Sequence, residues 1–325
     1  MVDSSSVYAR AMSILVCGAL AYDTLFHFED RFDNHILPDQ LHKISTTFKV
    51  PTMRREFGGP AGNIAYSLCL LGETPLVMGA VGEDFEPYRQ HLKRAGVDDR
   101  FIRTIRGQYT SQCFGIADRD GNQLMAFHPG AMDHATVNHI ADVPQRIEVA
   151  IVSPGGHAAF LQHTRELHAA GIPFIFDPGQ ELPLLSRDEL NEIVELASYV
   201  AINDYESELM RERAGLPVEV LAGKVEALIV TRGSKGAEIY ADDTIHLIPR
   251  VQMPIKPLDP MGCGDAFRAG LLYGIKQGLD WKTTGRLANV IGAIKVTSHG
   301  PQNHFFDWEK LRALYQQAYD EPWPL

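Results

Sequence analysis

Asp259-Pro260-Met261-Gly262-Cys263-Gly264-Asp265-Ala266-Phe267 places two glycines, a small residue and a carboxylate where a loop passes into a helix. The residues that follow, Arg268-Ala269-Gly270-Leu271-Leu272-Tyr273-Gly274-Ile275, have helical spacing. The first amides of a helix lack intrahelical acceptors, and the helix dipole favours negative charge beside them. Glycines 262 and 264 let a ligand approach the backbone without meeting a Cβ. The stretch therefore predicts an anion hole of phosphate size. A carboxylate at its rim, Asp265, makes electrostatic sense if it takes a proton from an attacking hydroxyl while the hole stabilises a transferring phosphoryl group. The competing reading is an Asp cap on an ordinary helix, and this stretch alone does not exclude it.

Outward from this stretch, short apolar runs alternate with amphipathic segments. Strands are expected over 14–17, 76–81, 149–152, 173–176, 199–202 and 227–231. Helices are expected over 61–71, 84–95, 160–170, 187–197 and 204–214, then over 265–277, 281–297 and 307–319. Such alternation implies right-handed crossovers and an α/β fold, a mostly parallel sheet covered on both faces. Two segments break the rhythm: 23–56, polar-aromatic without a helical period, and 108–127, a hairpin with Asp120-Gly121-Asn122 at its turn. Together they predict a small antiparallel lid over the carboxyl edge of the sheet, where ligands of open α/β sheets bind. A lid there would keep water from competing for a phosphoryl group. Arg10 and the apolar run 11–21 imitate a short secretory signal. Asp3 and the sparse positive charge ahead of the run favour a buried first strand over 13–18 instead.

The bulk properties fit this picture. The 325 residues are 45% apolar and 22% charged, with a formal net charge of −11. That balance argues against a nucleic-acid coat or an anionic membrane as partner, and no apolar run is long enough for a bilayer span. Cys17, Cys69, Cys113 and Cys263 form no CxxC pair, and the 13 histidines have no metal-ligand spacing, so a reducing cytoplasm is expected. GxxxxGK[ST] is absent, as are HRD and DFG in kinase context, which excludes P-loop enzymes and protein kinases.

Four further motifs follow strands or open helices. Phe57-Gly58-Gly59-Pro60-Ala61-Gly62-Asn63 is a glycine turn into a helix, either a close approach to a polar substrate with Asn63 inward or a plain turn with proline in the first helical turn. Asp23, after the first strand, can accept bonds from two vicinal hydroxyls or be a loop acid. Asn203-Asp204-Tyr205-Glu206 offers oxygen ligands for a water-rich Mg²⁺ beside phosphates, or a helix cap, or both. Val230-Thr231-Arg232-Gly233 leads into a turn that could line a nucleotide pocket or be a simple hairpin.

In this order the motifs resemble the ribokinase/PfkB family of carbohydrate and nucleoside kinases. The resemblance rests on Gly58-Gly59 with Asn63, on Asn203-x-x-Glu206, and on Gly262-Cys263-Gly264-Asp265, and it runs from about Ser13 to Phe306. Phe127-His128-Pro129-Gly130, Asp177-Pro178-Gly179-Gln180 and Asp259-Pro260 are most similar to bacterial adenosine kinases and related nucleoside kinases. The resemblance implies a ribokinase-like three-layer α/β/α fold over 12–320, with the lid built from segments 23–57 and 107–130. It implies Asp265 as the base, and Gly262, Cys263 and Gly264 as the anion hole. Asp23, Gly58, Gly59 and Asn63 would hold the ribose, with Gln180 near the nucleoside and Phe114 and Phe127 against its base. Asn203, Thr231, Gly233 and Asn289 would face ATP, with Glu206 and Asn203 organising Mg²⁺ through water. A monovalent cation such as K⁺ is a further implied cofactor. The implied partners are a nucleoside and ATP, the implied location cytoplasmic, and the implied state a monomer or a homodimer joined through the lid. Two positions depart from the pattern. Glu181 stands where adenosine kinases commonly carry a second amide, which widens the expected bases to guanosine, inosine and cytidine, and Cys263 replaces a usual Ala or Val.

The expected activity is ATP-dependent phosphorylation of a nucleoside 5′-hydroxyl by in-line transfer. A sugar kinase acting on ribose, fructose or a keto-sugar acid is the alternative within the same chemistry. A catalytically silent nucleoside sensor is a third reading, disfavoured by the intact Asp265 and Asn203-x-x-Glu206.

Overall fold

The computed structural model describes residues 13–36, 42–43, 45–253 and 256–324. Its strands are β1 (Ser13–Cys17), β2 (Ala21–His27), β3 (Thr52–Gly58), β4 (Leu76–Val81), β5 (Asp98–Thr104), β6 (Ser111–Ala117), β7 (Gln123–His128), β8 (Ile147–Val152), β9 (Phe174–Phe176), β10 (Tyr199–Asn203), β11 (Ala227–Thr231), β12 (Ala237–Ala241) and β13 (Thr244–Ile248). The helices are α1 (Pro60–Leu70), α2 (Glu86–Ala95), α3 (His157–Ala169), α4 (Arg187–Leu196), α5 (Asp204–Ala214), α6 (Val218–Ala222), α7 (Cys263–Lys276), α8 (Trp281–Lys295) and α9 (Trp308–Tyr319).

The main sheet has the order β13-β12-β11-β10-β9-β8-β1-β4-β5. It is parallel from β11 to β5 and turns antiparallel only at β12 and β13. Side-chain alternation splits each central strand between two cores. Ile14, Val16, Val149, Ile151, Ala201 and Ile229 pack with α1, α2, α7, α8 and α9. Leu15, Cys17, Ala150, Val152, Val200, Ile202, Leu228 and Val230 pack with α3, α4, α5 and α6. The result is the expected three-layer α/β/α arrangement. The run near the start is the buried strand β1; Arg10 to Met12, and with them the start of the expected domain at residue 12, lie outside the described residues.

The smaller sheet has the order β3-β2-β6-β7. Its outer pairs are antiparallel, while β2 and β6 run parallel. The parallel pair has a simple cause: β2 continues from β1 and β6 from β5, two strands that already point the same way. Both emerge at the carboxyl edge of the main sheet, so the lid stands over that edge.

Two strands were not anticipated, β5 and β13, whereas β12 completes the hairpin that was one reading of the turn after Thr231. β5 is an edge strand whose only buried residues are Phe101 and Ile102, next to each other, with Arg100, Arg103 and Thr104 exposed, so it lacks the alternation that marks a half-buried strand. The β12–β13 hairpin turns through Asp242 and Asp243, both in the left-handed region (φ 51° and 53°). Such a turn usually carries Asn-Gly or Asp-Gly, and two aspartates give no clear signal.

Candidate active site

The amides that open α7 are the centre of the site. Gly262 caps the helix at φ 79°, and a Cβ there would come within 2.6 Å of Pro301 Cβ. The Cys263 amide donates to Pro260 O (3.1 Å) and that of Ala266 to Gly262 O (3.0 Å). Between them, the amides of Gly264 and Asp265 have no acceptor among the described residues. A Cβ on Gly264 would meet nothing nearer than Arg268 Nη1 at 3.8 Å, so the backbone is open to an incoming group. The three expected residues thus divide their work: Gly262 shapes the turn, Cys263 closes it, and Gly264 with Asp265 offers the free donors. Burial pushes the Cys263 thiol up to about 11, which keeps it a neutral wall.

Asp265 Oδ2 accepts from Asn63 Nδ2 at 2.7 Å, across 202 residues of chain. The other end of that amide, Asn63 Oδ1, accepts from Gln302 Nε2 (2.9 Å), which also reaches the Tyr88 hydroxyl (2.5 Å). His91 Nε2 lies 3.1 Å from Gln302 Oε1 and must donate, because that oxygen can only accept. Each donor in the series His91–Gln302–Asn63 therefore faces Asp265. Burial raises the Asp265 carboxyl to about 6; Asn63 opposes the rise, Arg268 opposes it too, and Asp177 and Asp23 add to it. Asp23, on β2, is likewise raised to about 6 by burial and then by Glu56. It lies flat over Gly58, where a Cβ would come within 2.0 Å of its Oδ2. Gly59, at φ 81°, has Ala19 O 2.6 Å from its would-be Cβ, so neither glycine tolerates a side chain.

Behind Asp265, Arg268 Nη2 pairs with Asp177 Oδ1 (3.1 Å) and Ala201 O (3.2 Å), with both side chains under a tenth exposed. Asn203 and Glu206 form a reciprocal cap on α5: Asn203 Oδ1 accepts from the Glu206 amide (2.7 Å) and Glu206 Oε2 from the Asn203 amide (2.8 Å). Burial, then Asp177, raises the Glu206 carboxyl above its usual range. Capping occupies one carboxylate oxygen and leaves the other. No cluster of three acidic, histidine or cysteine side chains that could hold a metal exists among the described residues. This donor set fits a Mg²⁺ held chiefly by phosphate and water, not an all-protein cage.

A cavity of about 560 Å³ borders the α7 turn, lined among others by Thr231, Gly233, Asn289, Cys263, Gly264 and Phe267. The structure thus brings Thr231, Gly233 and Asn289 together with the open amides; Asn289 Nδ2 is tied to Pro249 O (2.8 Å). Asp265 is not in the lining, and its carboxylate lies on the Asn63 side of the turn.

Two expected positions sit differently. Strand pairing aligns Asp23 with Cys113, and Cys113 with Phe127, so Phe127 shares the face of Asp23. Phe114 is the next residue along β6 and therefore projects from the opposite face, beside Phe48 and Leu124; it does not join the site. Gln180 is exposed, whereas Glu181 turns inward and accepts from the Gly156 amide (3.0 Å). The residue expected to broaden base choice is therefore a buried anchor of the α3 start.

Arg268, Asp177, Gln302, Tyr88 and His91 carried no expected role. Arg268 had a signal, a cation three residues after Asp265 in an otherwise apolar helix. Gln302 had none.

A model of the pfkB carbohydrate kinase family matches residues 30–308. The nucleoside kinase of Burkholderia thailandensis, solved with inosine, is 44% identical, with a TM-score of 0.87 over 95% of this chain and 98% of that one. A second structure of that enzyme, with ADP-inosine, is 47% identical, with a TM-score of 0.84 over 95% and 97%. The nucleoside kinase of Methanocaldococcus jannaschii is 29% identical over 82% of this chain and 88% of its own. The ribokinase of Bacillus subtilis is 26% identical over 75% and 83%.

Proposed function

The chain belongs to the pfkB family of carbohydrate kinases, and on that footing we propose that it transfers the γ-phosphoryl group of ATP to the 5′-hydroxyl of a nucleoside. One observation carries the mechanism: a desolvated carboxylate, Asp265, is held by Asn63 beside two unpaired helix-start amides at the edge of a nucleotide-sized cavity. The chemistry follows from these groups. ATP fills the cavity along Thr231, Gly233 and Asn289, and its terminal phosphate meets the amides of Gly264 and Asp265. The nucleoside enters beneath the lid, its ribose diol on Asp23 and its base against Phe127. Asp265 takes the 5′-hydroxyl proton as that oxygen bonds to phosphorus and the bond to the ADP oxygen breaks. Asn63, locked by Gln302, keeps the carboxylate aimed at that oxygen. Mg²⁺, held by Glu206 and Asn203 through water, would supply charge neutralisation for the phosphates.

The relatives solved with inosine and with ADP-inosine support a nucleoside acceptor and ATP as donor. The more distant ribokinase supports the sugar reading. ADP release over a panel of purine and pyrimidine nucleosides, ribose and fructose separates the two. Turnover with inosine or guanosine well above that with ribose is expected, and the reverse ranking overturns the assignment. The reading places the enzyme in the cytoplasm; no helix among the described residues is long and apolar enough to cross a membrane. A homodimer would join through the outer lid face, where Met53, Phe114 and Leu124 are exposed, and sedimentation tests that.

A further inference from the structure

Lys295, the last residue of α8, is 0% exposed, inside the run Ile291-Gly292-Ala293-Ile294-Lys295-Val296. Its ammonium meets no carboxylate within ion-pair distance among the described residues. Instead it donates to two backbone carbonyls, Asp259 O at 2.8 Å and Ser298 O at 3.2 Å. Those oxygens belong to two turns that meet beneath the start of α7. The amides of Leu258 and Asp259 donate to Val296 O (2.8 and 3.2 Å). The Asp259 carboxylate accepts from the amides of Met261 and Gly300 (both 2.9 Å), and Pro301 presses on Gly262. Burial lowers the Lys295 pKa, while Cys263, Asp259 and Asp265 favour its charge. A buried cation without a paired anion is costly. Its position explains its retention, since a small cation set among backbone carbonyls is the arrangement in which proteins hold K⁺.

We propose that Lys295 is the resident monovalent cation of this site: its ammonium ties the turn before α7 to the turn after α8 and fixes a positive charge behind the amides of Gly264 and Asp265, so that phosphoryl transfer needs no dissolved monovalent cation. Lys295 touches neither substrate; it is a positioning residue. The proposal rests on the phosphotransfer reading above.

The test measures ADP release by the wild type at fixed ionic strength in potassium, ammonium, sodium and tetramethylammonium chlorides. Turnover should agree within about twofold across the four, because the cation site is already filled. Lys295→Met should lower kcat by about 100-fold, the scale of losing one oxyanion donor, with the nucleoside KM nearly unchanged. Potassium or ammonium at about 0.1 M should then restore at least about tenfold of kcat, by filling the vacated carbonyl site, whereas tetramethylammonium, too large for it, should not. Wild-type activation beyond tenfold by potassium would overturn the proposal. So would a folded Lys295→Met enzyme with full kcat, or one whose lost kcat no small cation restores. If the variant fails to fold, the wild-type series decides alone. Thermal stabilisation by ADP, followed in parallel, separates the two readings. A variant that loses it and regains it with potassium supports the cation role even where a wild type releasing no ADP with any acceptor would sink the kinase assignment.

Discussion

Asp265→Asn should cut turnover sharply and stabilise the protein, and the pH at which the stability gain fades follows from the structure. The Asp265 carboxyl rises from 3.8 to about 6, first through burial. That rise corresponds to ~3 kcal/mol as a ceiling, and solvent screening of a half-buried group reduces it to ~1–2 kcal/mol. The native carboxyl binds its proton more tightly than the unfolded one. Its ionised form therefore opposes folding in full above pH 6 and progressively less as pH falls from 6 toward 3.8. Asparagine removes that cost and keeps an oxygen for Asn63 Nδ2. The variant should exceed wild type by ~1–2 kcal/mol at pH 8, by about half that at pH 5, and by almost nothing near pH 4. Its turnover should drop by roughly two to four orders of magnitude, while ADP binding stays, because Asp265 does not line the cavity. Denaturant unfolding at the three pH values and coupled ADP release measure both effects. A variant less stable than wild type at pH 8, or a margin that ignores pH, would show that the carboxylate is not desolvated. Turnover within tenfold of wild type would remove Asp265 from the chemistry.

Three further outcomes can be checked. Asp23 and Asp265 are both raised to about 6 and both must be ionised, so kcat/KM should fall below pH 6 with a slope approaching 2. Asp23→Asn should reduce the slope to about 1 along with the affinity for nucleoside. Phe127→Ala should raise the nucleoside KM by about 5- to 100-fold, the worth of one base stack, whereas Phe114→Ala on the other lid face should leave KM unchanged; equal effects would mean that the lid does not stack on the base. Gln302→Leu frees Asn63 to turn away from Asp265. The acid limb of kcat/KM should then move to higher pH and the rate fall by about tenfold or more, whereas a merely structural role would change stability without moving the limb.

The layers were legible because the central strands are apolar on both faces and short, while the helices carry a stripe. The lid was legible as a break in that rhythm, and the Asn203-x-x-Glu206 cap as a pattern three residues apart. What stayed hidden depends on pairings that no local window contains. Phe114 and Phe127 look alike in sequence; only the register against Asp23 separates them, because one step along a strand changes the face. Gln302 meets Asn63 across 239 residues, and Arg268 meets Asp177 across 91. Lys295 and Arg268 were visible as cations, but Arg268 meets an acid after β9 and a carbonyl of β10, and Lys295 a carbonyl 36 residues away. Nothing local to Glu181 signals that the Gly156 amide holds it inward.

A protein of net charge −11 that gathers Asp23, Glu56, Asp177, Glu206, Asp259 and Asp265 around one site is an unpromising host for a polyphosphate. The arrangement resolves this by separating the charges. On the proposed assignment, positive field stands behind the phosphate side: the start of α7, Arg268 clamped by Asp177, and Lys295 on its two carbonyls. Both cations are almost fully buried, so salt screens them little and they need not reorganise during transfer. The unpaired acids, Asp23 and Asp265, lie on what that assignment makes the acceptor side, where an incoming alcohol is neutral and tolerates them. Transfer reverses that condition. The acceptor leaves carrying a phosphate, beside carboxylates that repel it, and the proton taken by Asp265 must be lost before the next turn. With Asp265 as the proposed base, the same desolvation that lifts it to about 6 would set both ends of the cycle: a carboxylate basic enough to take the proton, and acidic enough to release it at neutral pH as the charged product departs.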